Sequence, residues 1–196
     1  QTDNDVDLGA SGVEWKDAYF DGTVTTDGLT VSGTTNLDGA IQVDNTITVG
    51  VNDTGYDVKF FGEESGYSML WDESKNTLIV TGGIHEKALT PTISGNAVTL
   101  DLEHANNFLI DLANATGTLT VTIDNEPGEA TVFTVKVIQQ ATARAITWNG
   151  GSVNVDWPSA TAPTLTQTDD GVDVFVFLTI DGGTTFYGFT AGQAMG

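Results

Sequence analysis

Between Asp21 and Val51 the chain reads DGTVTTDGLTVSGTTNLDGAIQVDNTITVGV, with glycine at positions 22, 28, 33, 39 and 50. This punctuation constrains the fold more than any other feature. Three of the glycines follow an aspartate (Asp21, Asp27, Asp38), and Asp-Gly marks a turn because glycine takes positive φ without steric cost while aspartate bonds its own backbone. Between turns the residues alternate: Leu29 and Val31 against Thr30 and Ser32, Ile41 and Val43 against Gln42 and Asp44, Ile47 and Val49 against Thr48 and Gly50. Period-two alternation rich in β-branched residues predicts short strands with one face buried. Each segment offers only two or three apolar side chains, too few to enclose a core, and isolated hairpins are marginal in water. The missing apolar partner is expected from further copies of the chain, in an elongated oligomeric β structure.

Composition sharpens this. Twenty-three glycines, abundant Thr, Val and Asp, and the lack of any sustained helical period indicate an all-β protein. The net charge of −21, from 27 acidic against 6 basic residues, argues against nucleic-acid and anionic-membrane partners, which need cationic groups, and points to solubility. Without cysteine there is no disulfide or thiolate metal site. No apolar run reaches the roughly 18–20 residues needed to span a bilayer as a helix, and no signal peptide is visible. A start at Gln1 rather than Met reads as a processed or shortened N-terminus.

In chain order, Asp3, Asp5 and Asp7 are spaced like the opening of a calcium loop, with Glu14 at the closing position. Leu8 stands where the turn glycine belongs, so a solvated acidic tail is the reading of this segment. Trp15, Tyr19 and Phe20 follow, large anchors suited to a narrow subunit interface. Residues 51–83 predict a three-stranded meander with strands Tyr56–Phe61, Tyr67–Trp71 and Thr77–Thr81. GGIHEKALTP (82–91) breaks the pattern, which places a linker at 84–91 between an oligomerising stalk and meander (1–83) and a second domain (92–196). In that domain Leu100 and Leu102, then Leu119, Val121 and Ile123, then Phe133, Val135 and Val137, then Val153, Val155 and Trp157 alternate with polar residues. Val172–Ile180 is apolar on both faces, as in a central strand, and Thr185–Thr190 supplies a last strand. Seven or more strands at intervals near ten residues predict a β-sandwich or jelly-roll-like domain.

Three stretches resemble the tail-fibre and other virion appendage proteins of tailed bacteriophages. They are Leu8-Gly9-Ala10-Ser11 before Trp15-Lys16-Asp17-Ala18-Tyr19 (with Glu14 where a basic residue is expected); Asp57–Gly62 with Met69–Asp72; and Phe133–Gln140, Ile146–Trp148, Trp157–Leu165 and Thr184–Gly192 with its Phe-Tyr-Gly-Phe. The resemblance implies a virion structural protein at the particle surface: a homotrimeric fibre or spike contacting other virion proteins and serving host attachment. A capsid decoration or head fibre is the alternative within that class. It also implies that the chain ends naturally just beyond Phe189.

Chemistry is thin. His85 and His104 are the only histidines, neither in a nucleophile elbow, and acidic pairs are too numerous to mark a glycosidase. The reading is a non-enzyme without cofactor or metal. Its candidate oligomer interface is Trp15, Tyr19, Leu29, Val31, Ile41, Val43, Ile47 and Val49. Trp148, Trp157 and Tyr187 could stack on a host surface glycan, as in a secreted carbohydrate-binding module, although alternation assigns both tryptophans to a core.

Overall fold

The computed structural model describes residues 16–126, 128–150 and 154–196, and among these the protein is all-β. By its contacts the chain divides into two units, 1–56 and 57–196.

In the first unit the expected short strands are not formed. Every residue from 16 to 49 is exposed, and no strand is present among them. The regular feature here is a bridge between Val51 and Thr54, closed by Val51 N–H to Thr54 O (3.0 Å) and the reverse bond (2.9 Å) around Asp53 at φ 65°. The reason is geometric. Alternation gives a segment two faces, but a strand also needs a neighbouring backbone to complete its hydrogen-bond ladder. Among the described residues 16–50, no backbone group bonds another.

The second unit starts with the predicted meander. Strands β1 (Val58–Phe61), β2 (Ser68–Asp72) and β3 (Thr77–Thr81) pair antiparallel in chain order. Gly62 N–H to Tyr67 O (2.9 Å) closes the first turn. In the second turn the Asp72 carboxylate accepts from Lys75 Nζ, the Lys75 amide (3.1 Å) and Ser74 Oγ (2.7 Å).

The rest of the unit is built from two facing sheets. A six-stranded sheet has the order β10-β12-β11-β8-β6-β4, and a three-stranded sheet the order β5-β7-β9. The strands are β4 (Ala88–Leu89), β5 (Ala97–Asp101), β6 (Asn107–Asp111), β7 (Leu119–Asp124), β8 (Thr131–Ile138), β9 (Ile146–Gly150), β10 (Asn154–Asp156), β11 (Val172–Thr179) and β12 (Thr185–Met195). From β4 to β10 successive strands fall alternately in one sheet and the other. Within each sheet the neighbours β4-β6-β8 and β5-β7-β9 run parallel. That is the winding of a β-solenoid, in which each coil adds one strand to each sheet. β11 then lies antiparallel on β8, β12 antiparallel on β11, and β10 parallel to β12. This pairing departs from the expected jelly roll, which is antiparallel throughout. Side-chain alternation reports which face is buried but carries no information about strand direction, and here the crossover that a parallel pair requires is a strand in the opposite sheet. Ala88–Leu89, inside the stretch read as a linker, pair with β6, and Asn107–Asp111 form a strand the sequence reading did not contain.

One apolar core fills the space between the two sheets. Val98, Leu100, Leu119, Val121, Ile123 and Trp148 enter from the three-stranded sheet. Phe108, Ile110, Phe133, Val135, Val137, Phe175, Phe177 and Phe186 enter from the six-stranded one. Register stacks them in rows: Phe108, Val135 and Phe175 lie side by side across β6, β8 and β11, and the Phe133 and Phe177 rings stack at 4.8 Å. At the same inward level Gly188 makes room for Trp157. A Cβ at 188 would fall 2.7 Å from the Trp157 benzo ring, a distance real Cβ contacts do not reach.

Candidate functional site

The perturbed carboxylates hold turns together. Asp101 accepts from Asn125 Nδ2 (2.9 Å), His104 Nδ1 (2.7 Å) and the Glu103 amide (3.1 Å), tying the end of β5 to the end of β7. The Asn125 bond, followed by those of His104 and Glu103, holds its carboxyl below the ordinary aspartate range. Asp72 is lowered chiefly by Lys75 and then Ser74, and Asp181 chiefly by the Thr185 amide and then the Thr179 hydroxyl across the β11–β12 turn. Asp173, a buried carboxylate within β11, accepts from Thr166 N (2.7 Å), Thr166 Oγ1 (2.6 Å) and Ala194 N (3.2 Å), fastening the 164–166 segment to the end of β12. His85 is exposed, and among the described residues no three His, Cys, Asp or Glu side chains converge to hold a metal ion. The candidate calcium residues Asp3, Asp5, Asp7 and Glu14 lie outside the described residues.

The candidate glycan contacts separate into two groups. Trp148 is 4% exposed and Trp157 9%. Their ring centroids lie 5.7 Å apart, and both pack against Phe175 and Phe177 at 5.2–5.9 Å. Their faces are spent on the core, as alternation implied, so neither presents a platform to a sugar. Tyr187, on the outer face of β12, is open, and it lines a groove of about 450 Å³ with Asp156, Pro158, Ala160 and Phe189, to which Trp157 contributes only a ring edge's worth of exposure beside Gly188.

The candidate interface residues are among the most exposed apolar side chains of the chain. Tyr19 is 92% exposed, Leu29 80% and Ile47 70%, with Val31, Ile41, Val43 and Val49 at about half or more. Trp15 lies outside the described residues. Nothing in the described chain buries these side chains. The alternation that would bury them in a subunit contact is present in the sequence, and the chain alone leaves it unused.

Two further apolar faces were not singled out from sequence. On the meander, register places Val58, Trp71 and Leu78 in one row and Phe60, Met69 and Val80 in the next, all on one face. Five of the six are substantially exposed. The other face carries Lys59, Ser68 and Thr81 among Phe61, Leu70 and Ile79. On the six-stranded sheet, the outward residues Val176 and Leu178 of β11 lie beside Phe189 and Tyr187 of β12, and Val132 of β8 flanks Leu178. The signal for both is continuous apolar runs, Met69-Leu70-Trp71, Leu78-Ile79-Val80 and Phe175–Leu178, which ask for cover on both faces. The fold covers only one face of β11 and neither face of the meander fully.

Neither a protein-family model nor a curated protein matches the chain.

Proposed function

We propose that this protein is a non-enzymatic structural component of a tailed-phage particle, a homotrimeric fibre or spike at the virion surface that serves host attachment. One observation carries the reading. The alternating apolar residues of the glycine-cut segment, Leu29 to Val49, stand exposed on a backbone whose hydrogen-bonding groups have no backbone partner in the described chain. Unpaired N–H and C=O groups beside alternating apolar side chains are open to pairing with another chain. Three copies winding their short segments together would satisfy the backbone groups and bury the alternating side chains. The product is a stiff, protease-resistant stalk bearing the two-sheet domain. The three stretches resembling virion appendage proteins support the same assignment. A capsid decoration or head fibre would use the same stalk, and immunolabelling of particles distinguishes the two locations.

Native mass tests the proposal. Light scattering on the full chain should give three times the 20.6 kDa chain mass, eluting early for that mass. Val49→Asp, which puts a charge among the residues to be buried, should lower the mass to that of the monomer. A compact monomer for the parent chain refutes the proposal. It would favour the carbohydrate-binding reading, for which the groove beside Tyr187 and Phe189 is the place to look with a glycan array.

A further inference from the structure

The geometry points to the apolar face of the meander, Val58, Phe60, Met69, Trp71, Leu78 and Val80, as a second self-association surface that docks on the same face of further copies of this chain. The inference rests on the proposed stalk, and three observations carry it.

The first is the contrast between the two sides of one small sheet. Register sorts the side chains of β1, β2 and β3 so that one face is wholly apolar and the other mixed. The apolar face carries Phe60 at 58% exposure, Leu78 at 57%, Met69 at 44% and Trp71 at 42%. A three-stranded sheet needs a covered hydrophobic face to be stable, and the described chain covers neither face fully.

The second is charge. The chain carries −21, so two copies repel through most of their surface. On the meander the charged side chains are Lys59 on the mixed face, Asp57 just before β1, Asp72 at the end of β2, and Glu63, Glu64, Glu73 and Lys75 in the turns. The apolar face holds none, and can meet a copy of itself without placing like charges together.

The third is size and tether. With large side chains of roughly 150–250 Å², these exposures amount to on the order of 400–500 Å². A free partner typically buries about 800 Å² on each side. The face is therefore small for capturing an independent protein. It suffices for copies already held together, because β1 begins seven residues after Val51, where the glycine-cut segment ends. Seven residues span at most about 25 Å. A short tether of that kind raises the effective concentration of one face for another to the millimolar range.

The chain has no cysteine, so single-cysteine variants of the full chain carry one thiol each. Leu78→Cys marks the apolar face, and Phe61→Cys, 78% exposed on the other face of the same sheet, is the control. Under mild oxidation Leu78→Cys should give a disulfide-linked dimer several-fold faster than Phe61→Cys. In parallel, Phe60→Asp should raise the concentration at which the assembly dissociates by about tenfold or more, the effect of losing a buried anchor, while Phe61→Asp leaves it within about twofold. Cross-linking does not require the aspartate variant to keep its fold. If the parent chain assembles but Leu78→Cys cross-links no faster than Phe61→Cys, the face is not a self-contact; that result overturns this inference and leaves the stalk standing. If the parent chain is a monomer, the stalk fails first and the inference falls with it.

Discussion

Gly188→Ala puts the packing of the two-sheet core to a quantitative test. Position 188 faces inward on β12 between the buried Phe186 and the ring of Trp157, and its φ lies outside the left-handed region. Alanine is therefore conformationally acceptable there, and only space opposes it. The new methyl carbon would sit 2.7 Å from one benzo-ring carbon of Trp157 and 2.8 Å from two others. Carbon atoms settle at about 3.5–4.0 Å, so the ring must retreat by roughly 1 Å. Trp148, Phe175 and Phe177 pack against it at centroid distances of 5.5–5.9 Å and resist that shift, while the groove it borders with Tyr187 and Phe189 is the direction in which it can yield. Overpacking of this kind costs about 1–3 kcal/mol. Against it, replacing glycine by alanine stabilises by about 0.4–1 kcal/mol through the unfolded chain. The net expectation is a loss of about 1–2 kcal/mol, or roughly 2–8 °C in thermal midpoint for a chain of this length. Urea unfolding at fixed protein concentration, followed by near-ultraviolet circular dichroism, reads it directly. Combining Gly188→Ala with Trp157→Phe removes the outer ring atoms, so alanine should cost less in that background. A neutral or stabilising Gly188→Ala, or an equal cost in the Trp157→Phe background, would refute the reasoning.

Three other expectations are independent of that one. Asn96, at φ 63°, accepts from the Thr116 amide (2.7 Å), the Gly117 amide (2.9 Å) and Thr116 Oγ1 (3.1 Å); Asn96→Ala should cost about 2–3 kcal/mol in urea unfolding, and Asn96→Asp, which keeps the acceptors and tolerates the backbone, about 1 kcal/mol or less. The carboxyls of Asp72, Asp101 and Asp181 lie below the ordinary value of 3.8 in the folded chain, so the unfolded chain binds more protons; their contribution is complete above that value and is lost as pH falls through the lower folded values. The thermal midpoint should therefore drop below about pH 4, and a midpoint still rising at about pH 2.5 would contradict the assignment. Because each copy carries −21, raising NaCl from about 10 mM to 1 M, which shortens the screening length from about 30 to 3 Å, should tighten self-association in a light-scattering dilution series; weakening would mean that ion pairs hold the copies together.

Much of this protein was legible before its structure. The meander was predicted nearly to the residue, because Gly62–Gly66 and Asp72–Asn76 are turn chemistry between apolar runs and such signals act within a few residues. Core membership followed too: Leu119, Val121, Ile123, Phe133, Val135, Val137, Trp148 and Trp157 are buried as alternation required, since a pleated strand leaves each side chain only two faces.

Three things belonged to the tertiary structure alone. Strand direction is one: the parallel winding of β4 to β9 between two sheets depends on where the backbone goes after each strand, which a period of two does not record. Close approach is another: Gly188 reads as an ordinary strand glycine until Trp157, far back in the chain, is laid across it. The last is cover. A run such as Met69-Leu70-Trp71 asks for burial without naming the partner, and only the folded chain shows that its own residues leave Phe60, Met69 and Trp71 open on one face. Local chemistry sets what each residue requires of its surroundings; whether the requirement is met depends on backbone segments distant in the chain, or in another copy of it.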